Sequence, residues 1–200
     1  CSSDLLSLTA CGGSTDTAKT DQADGKDTFT VGFDQDFPPF GYVGDDGEFT
    51  GFDIEMATEC AARMGKKIVL QPIDWDAKDM ELEAGTIDCI WNGFTMNGRE
   101  DQYTWTDPYM DNSQVVVVKK DSGINTLADL AGKVVEVQKE SAAETALNDE
   151  EHADLMASFA QLLSVGAYNT AFMDLESGAV DAVAIDIGVA QFQIEGKEDQ

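Results

Sequence analysis

One short phrase is written twice in this chain. Met80-Glu81-Leu82-Glu83-Ala84-Gly85-Thr86-Ile87-Asp88-Cys89-Ile90 aligns without gaps on Met173-Asp174-Leu175-Glu176-Ser177-Gly178-Ala179-Val180-Asp181-Ala182-Val183. Each copy reads as the end of a helix, a glycine stop and a short strand, because helices commonly close on a glycine in the left-handed region. Helix–Gly–strand is common α/β grammar, but agreement at Met, Leu, Glu, Gly and Asp in register points to one supersecondary unit used twice. The copies lie about one small lobe apart, so the phrase divides the chain into two comparable units.

The pattern around each copy alternates strand and helix. Thr28–Asp34 reads as a strand, Phe52–Met64 as a helix with Ile54, Ala57, Ala61 and Met64 on one face, and Lys67–Gln71 as a strand. The first phrase then leads into a strand Ile87–Trp91. In the second half, Lys133–Gln138 is a strand, Ser141–Leu147 opens a helix, and Leu162–Val165 is a strand. The second phrase leads to a strand ending at Asp186. Such alternation predicts mostly parallel sheets flanked by helices. Gln114–Val118 is a β-branched run without helical period and is expected to be an extended strand crossing between the units. The expected fold class is α/β with two lobes: residues 1–27 outside the fold, 28–112 lobe one, 113–195 lobe two, and 196–200 beginning a return to lobe one. Ligands in parallel sheets sit beyond the carboxyl ends of the strands. Four such ends carry chemistry here: Asp34–Phe40, Asn92–Arg99, Gln138–Ala142 and Asp186.

Charge narrows the partners. Twelve Lys+Arg against 39 Asp+Glu give a formal net charge of −27, which repels nucleic acid instead of releasing its counterions. It also opposes docking on anionic lipid through basic residues. No apolar run is long enough to span a bilayer. No DxDxDG calcium loop or Gly-rich phosphate loop occurs, and neither metal nor cofactor is expected. Cys60 and Cys89 suit no metal spacing and read as buried free thiols, while His152, in an acidic stretch, reads as a solvated surface side chain.

At the start, Leu8-Thr9-Ala10-Cys11 is similar to a bacterial lipobox, in which signal removal leaves the cysteine as a lipid-modified N-terminus. A frayed terminus is the alternative. Residues 12–27 contain no apolar side chain larger than Ala and cannot bury anything. As a flexible coil, a tract of this kind reaches roughly 20–24 Å, enough to hold a domain off a surface.

Seven segments, in order, resemble the extracytoplasmic solute-binding proteins of amino-acid ABC transporters, of the type 2, family 3-like kind. They are Val31–Phe40, Gly51–Ala57, Asp74-Trp75-Asp76, Asp88–Thr95, Trp105–Tyr109, Leu127–Lys133 and Gly178–Val183. The resemblance covers nearly the whole chain after Thr28. It implies two lobes closing on a free amino acid, delivery to a permease, a lipoprotein anchored through Cys11 outside the cell, and a monomer. Members of that family continue further and complete the first lobe, so the chain is expected to be a fragment, with weakened stability and hinge control.

The resemblance also implies a site. A zwitterion needs a cation and N–H donors for its carboxylate, an anion for its ammonium and a wall for its side chain. Arg99 matches the carboxylate-gripping arginine, which a lysine cannot replace because only guanidinium offers two parallel hydrogen bonds. Its alternative is a surface pair with Glu100 or Asp101. Thr95-Met96-Asn97-Gly98-Arg99 is one residue shorter than the usual spacing, a change that Gly98 can absorb through an unusual backbone angle. Thr95 offers its hydroxyl and N–H to the same carboxylate, and the Asn92-Gly93 carbonyls, followed by Phe94, face the ammonium. Ser141 either caps a helix or lends helix-start N–H groups to an anion, and both can hold. Gln138-Lys139-Glu140-Ser141 departs from the family, which commonly has glycine before the hydroxyl residue, and puts Lys139 and Glu140 at the mouth. Asp186 matches the acid that meets the ammonium, its alternative being a helix N-cap. Phe37 and Trp75 match the rings that sandwich the ligand's stem. Asp34 would reach the far end of a ligand side chain, which points to a polar or cationic amino acid, cystine included. Because a buried Asp186 without a cation is costly, the unliganded cleft is expected to stay open and wet. The other function on this scaffold is a cyclohexadienyl or prephenate dehydratase. The candidate site residues include no histidine and no nucleophile–base pair for it.

Overall fold

The structure, a computed structural model, describes residues 26–197. Cys11 and nearly all of the tether lie outside the described residues. The chain runs β1 (Thr28–Phe33), β2 (Asp36–Phe37), β3 (Gly41–Val43), β4 (Phe49–Thr50), α1 (Phe52–Arg63), β5 (Lys67–Pro72), α2 (Lys78–Ala84) and β6 (Cys89–Ile90). It continues with β7 (Gln114–Val118), β8 (Val134–Gln138), α3 (Ala142–Asn148), α4 (Ala153–Ser158), β9 (Gln161–Val165), α5 (Tyr168–Ser177), β10 (Ala182–Asp186) and α6 (Ile187–Ile194). The first lobe holds a parallel sheet in the order β5-β1-β6 and a small antiparallel sheet β2-β3-β4. The second holds one sheet in the order β7-β10-β8-β9.

The repeated phrase performs the same structural task in both halves. Gly85 and Gly178 close α2 and α5 in the left-handed region, at φ 70° and 82°. The Asp88 carboxylate then accepts the Thr30 N–H at 2.7 Å, while the Asp88 N–H donates to the Thr30 carbonyl at 2.7 Å. Asp181 repeats both bonds on Val134, at 2.9 Å each. In each lobe the aspartate therefore pins a parallel strand, β1 or β8, to the turn after the preceding helix in space.

Two expectations change. Gln114–Val118 does not cross between lobes. It pairs antiparallel with β10, from Val118 opposite Ala182 to Gln114 opposite Asp186, as an edge strand of the second sheet. Its β-branched side chains satisfy an edge as well as a crossing. On α1, Ile54, Ala57 and Ala61 are buried, but Met64 caps the helix and is exposed, and Asp53 is buried in its place.

Packing is uneven. Strand β10 is buried on both faces. Val183 and Ile185 join Tyr168, Phe172, Leu175 and Val189 on one side. Ala182 and Ala184 join Leu130, Val135, Val137 and Leu147 on the other. Phe37 and Phe40 of the first lobe belong to the first of these clusters, so an apolar seam ties the lobes together.

Cys60 and Cys89 are free and half-buried, not fully buried, and burial pushes the Cys89 thiol up to about 12, which keeps it inert. His152 is half-buried in a short turn that leads directly into α4, not a fully solvated side chain. Among the described residues, no group of His, Cys, Asp and Glu is placed to hold a metal, and no helix is long and apolar enough to cross a membrane.

Candidate functional site

The carboxyl ends of β1, β6, β8 and β10 converge where the lobes meet. A cavity of about 10 Å³ lies there, lined by Phe37, Trp75, Asn92, Gly93, Phe94, Thr95, Arg99, Gln138, Ser141, Ala142 and Asp186. Ten of these are residues singled out from the sequence. Asp34 is not among them, because its carboxylate is engaged by Gln138, whose Nε2 donates to it at 2.6 Å.

Arg99 is carried by a tight turn. Its N–H donates to the Met96 carbonyl at 2.9 Å, and Gly98 takes φ 78°, in the left-handed region that glycine adopts without strain. The guanidinium is buried, not paired on the surface with Glu100 or Asp101. It lies 5.2 Å from the Phe94 ring and donates through Nη1 to the Thr95 carbonyl at 3.4 Å. Through Nη2 it reaches across to the second lobe, to the Glu140 carbonyl at 3.0 Å and the Thr145 hydroxyl at 3.2 Å. Phe94, Trp75, Tyr103 and Trp105 pack edge-on or tilted against one another behind it. Among the described residues, no ion pair includes Arg99. A buried guanidinium held only by neutral oxygens is a site prepared for an anion.

Asp186 occupies the N-cap position of α6 but makes no side-chain cap bond. Its carboxylate instead accepts from the side-chain amides of Asn112 and of Gln114, the latter at 2.8 Å. Burial raises its pKa, and the two amides and the Arg99 charge hold it back. Asn112 also donates to the Thr95 hydroxyl at 3.1 Å, which links the two anchors. Asp34 sits deeper. Burial lifts its pKa to about 6, against hydrogen bonds from the Asp36 N–H and Gln138. The Asn92 side chain accepts the Asp34 N–H at 3.0 Å, so it fixes the strand ends and does not project freely into the cavity. Ser141 caps α3 by accepting the Glu144 N–H at 3.1 Å. Phe37 lines the cavity and also packs into the apolar seam, 6.0 Å from Tyr168.

The lobes are shut, contrary to the open, wet cleft expected from the sequence. Ten cubic ångströms is room for about one water molecule. The reason is polar contact across the seam: Gln138 to Asp34, Arg99 to Glu140 and Thr145, and Asn169 to Asp36 at 2.8 Å. Two ion pairs add to it, Lys78–Glu140 and Lys139–Asp76, each 2.8 Å. Outside this seam lies a wider hollow of about 450 Å³, lined by Lys78, Asp79, Arg99, Tyr103, Glu140 and Glu144 among others.

Lys78, Asn112 and Gln114 were not legible as site residues. Gln114 carries a faint signal, a polar side chain opening a run of valines. Lys78 lies in an acidic helix and reads as solvated, and nothing marks Asn112.

Four matches place these features among known proteins. The family model of bacterial extracellular solute-binding proteins, family 3, matches residues 29–164. The L-cystine-binding protein TcyJ of Escherichia coli K12 is 32% identical over 165 residues, 80% of this chain and 59% of that protein. The arginine-binding extracellular protein ArtP of Bacillus subtilis is 35% identical over 134 residues, 66% of this chain and 51% of its own. This chain thus spans between half and two thirds of those relatives. The crystal structure of an ABC uptake transporter substrate-binding protein from Streptococcus pneumoniae, with bound histidine, matches at a TM-score of 0.80 and 35% identity. It covers 86% of this chain and 70% of that one.

Proposed function

The chain belongs to the bacterial extracellular solute-binding proteins, family 3, and from that premise we propose that it closes around one free L-amino acid between its lobes. The observation that carries this reading is a pair of opposite charges from opposite lobes. Arg99 and Asp186, both buried, line one cavity. Arg99 and the Thr95 hydroxyl take the α-carboxylate, and Asp186 takes the ammonium. Asn112 and Gln114 now meet Asp186 with neutral N–H donors; an ammonium offers the same geometry and adds a charge. Phe37 and Trp75 flank the stem, with Phe94 behind. Asn92 and Gly93 hold the strand end, Ser141 fixes the opposing wall, and Gln138 relays the side-chain end to Asp34. That acid favours a polar or cationic side chain, as the relatives' names for cystine and arginine also do.

The lobe limits fall at 28–112 and 113–195, and ligand enters only when they part, since the shut cavity is too small for it. The bound form is handed to an ABC transporter permease outside the cell, by a monomer tethered through a lipid on Cys11. No covalent step is part of the reading. A thermal-shift screen of the common L-amino acids and cystine tests it. At 100 times its dissociation constant, a true ligand adds about 2.7 kcal/mol of stability. A flat response to all of them contradicts the reading.

A further inference from the structure

Beyond the cavity, the lobes are joined at a place the binding reading does not use. Lys78, on α2 of the first lobe, is 3% exposed and reaches the Glu140 carboxylate of the second lobe at 2.8 Å. Its Nζ also lies 5.3 Å from the centre of the Trp75 ring, so a cation–π contact adds to the ion pair. Glu140 is, among the described residues, the one non-glycine with positive φ, at 58°. A side chain with a β-carbon is strained there, and such strain persists only where surrounding contacts hold it. The Glu140 N–H donates to the Glu144 carboxylate at 2.6 Å, its carboxylate meets Lys78, and its carbonyl accepts Arg99 Nη2 at 3.0 Å. Lys139, the residue before it, pairs with Asp76 of the first lobe. In a protein of net charge −27, two lobes rich in carboxylates repel one another. Here the seam is crossed by cations from both sides.

We propose that Lys78 and Glu140 form a latch that holds the lobes shut and, through the Glu140 carbonyl, positions Arg99 in the closed state. Lys78 does not itself line the cavity, meeting its wall only at the Trp75 ring, and it acts on Arg99 through Glu140. The latch sets how long the lobes stay closed. For its effect on a ligand it rests on the amino-acid reading; for its effect on lobe closure it does not.

The test uses two single variants and their combination. Lys78→Met keeps the stem and removes the charge. Glu140→Gly removes the carboxylate but accepts the left-handed backbone, so the carbonyl facing Arg99 is retained and folding is not at risk. Small-angle scattering without ligand is expected to give a larger radius of gyration for each variant than for the parent at low salt. Stopped-flow displacement of the tightest amino acid is expected to give an off-rate about tenfold faster for each single variant. The double variant should be no faster than either, because one pair is removed in all three. Unchanged scattering and off-rate in Glu140→Gly, or off-rate effects that multiply in the double variant, overturn the latch. Should Lys78→Met fail to fold, Glu140→Gly decides alone. Should the parent bind no amino acid, the binding reading falls, and the scattering comparison still decides the latch.

Discussion

The two lobes use one supersecondary unit and bury it to different depths. In the second lobe the unit delivers β10 between two apolar layers, and all five of its residues are buried. In the first it delivers β6, two half-buried residues at one edge of a three-stranded sheet whose other edge strand, β5, is at best half-buried. The aspartate hydrogen bonds are the same in both, so local geometry does not explain the difference. What differs is the cover on the sheet. The first lobe compensates by sending Phe37 and Phe40 into the second lobe's core. The repeated unit specifies a strand's position, and the packing partners specify its stability.

The largest expected effect breaks that dependence. Phe40→Ala removes a ring buried in the shared cluster and should cost about 3–5 kcal/mol by denaturant unfolding, the range for a core aromatic. If the lobes were self-sufficient, the loss would be confined to the second lobe, and hydrogen exchange in β1 would not change. Next comes the division of charge. Arg99→Ala should weaken amino-acid binding by about 2–5 kcal/mol in calorimetry, the range for stripping one partner from a buried charged contact. A loss below tenfold would mean that another residue anchors the carboxylate.

The equivalence of the two units can be sharpened by Asp88→Ala and Asp181→Ala. Each removes a charged acceptor from one backbone N–H and should cost about 1.5–3 kcal/mol. A large inequality between them would show that the shared geometry hides different energetics. The smallest effect is in pH. Burial holds the Asp34 pKa at about 6, above its unfolded value, so the folded state keeps a proton that the unfolded chain has already lost. Stability should therefore fall as pH rises from about 4 to 6 and level off above. The Asp34→Asn variant should show a flatter profile of melting temperature over that window.

Much of this was legible in the residues. The Met–Leu–Glu–Gly–Asp register located both units because a helix stop and a strand start are local events. The strand ends marked the residues that line the cavity, because parallel sheets gather their carboxyl ends on one side. Arg99 stood out by its match to the arginine with which the family grips a carboxylate. Other features depend on partners distant in the chain. Strands β2 to β4 are too short to show a period. The pairing of β7 with β10 is a choice between edges that its valines do not make. Lys78 reads as one more charge on an acidic helix until Glu140 closes over it. The shut cleft could not be read at all, since it follows from contacts between lobes and not from either lobe's sequence.

The most direct measurement is a calorimetric titration of the tightest-binding amino acid against two analogues, one lacking the ammonium and one lacking the carboxylate. If, as proposed, Arg99 grips the α-carboxylate and Asp186 the α-ammonium, both analogues should bind at least about a hundredfold more weakly, each removing one charge from a paired contact. An analogue that binds as tightly as its parent would show that one of the two anchors makes no contact with the ligand.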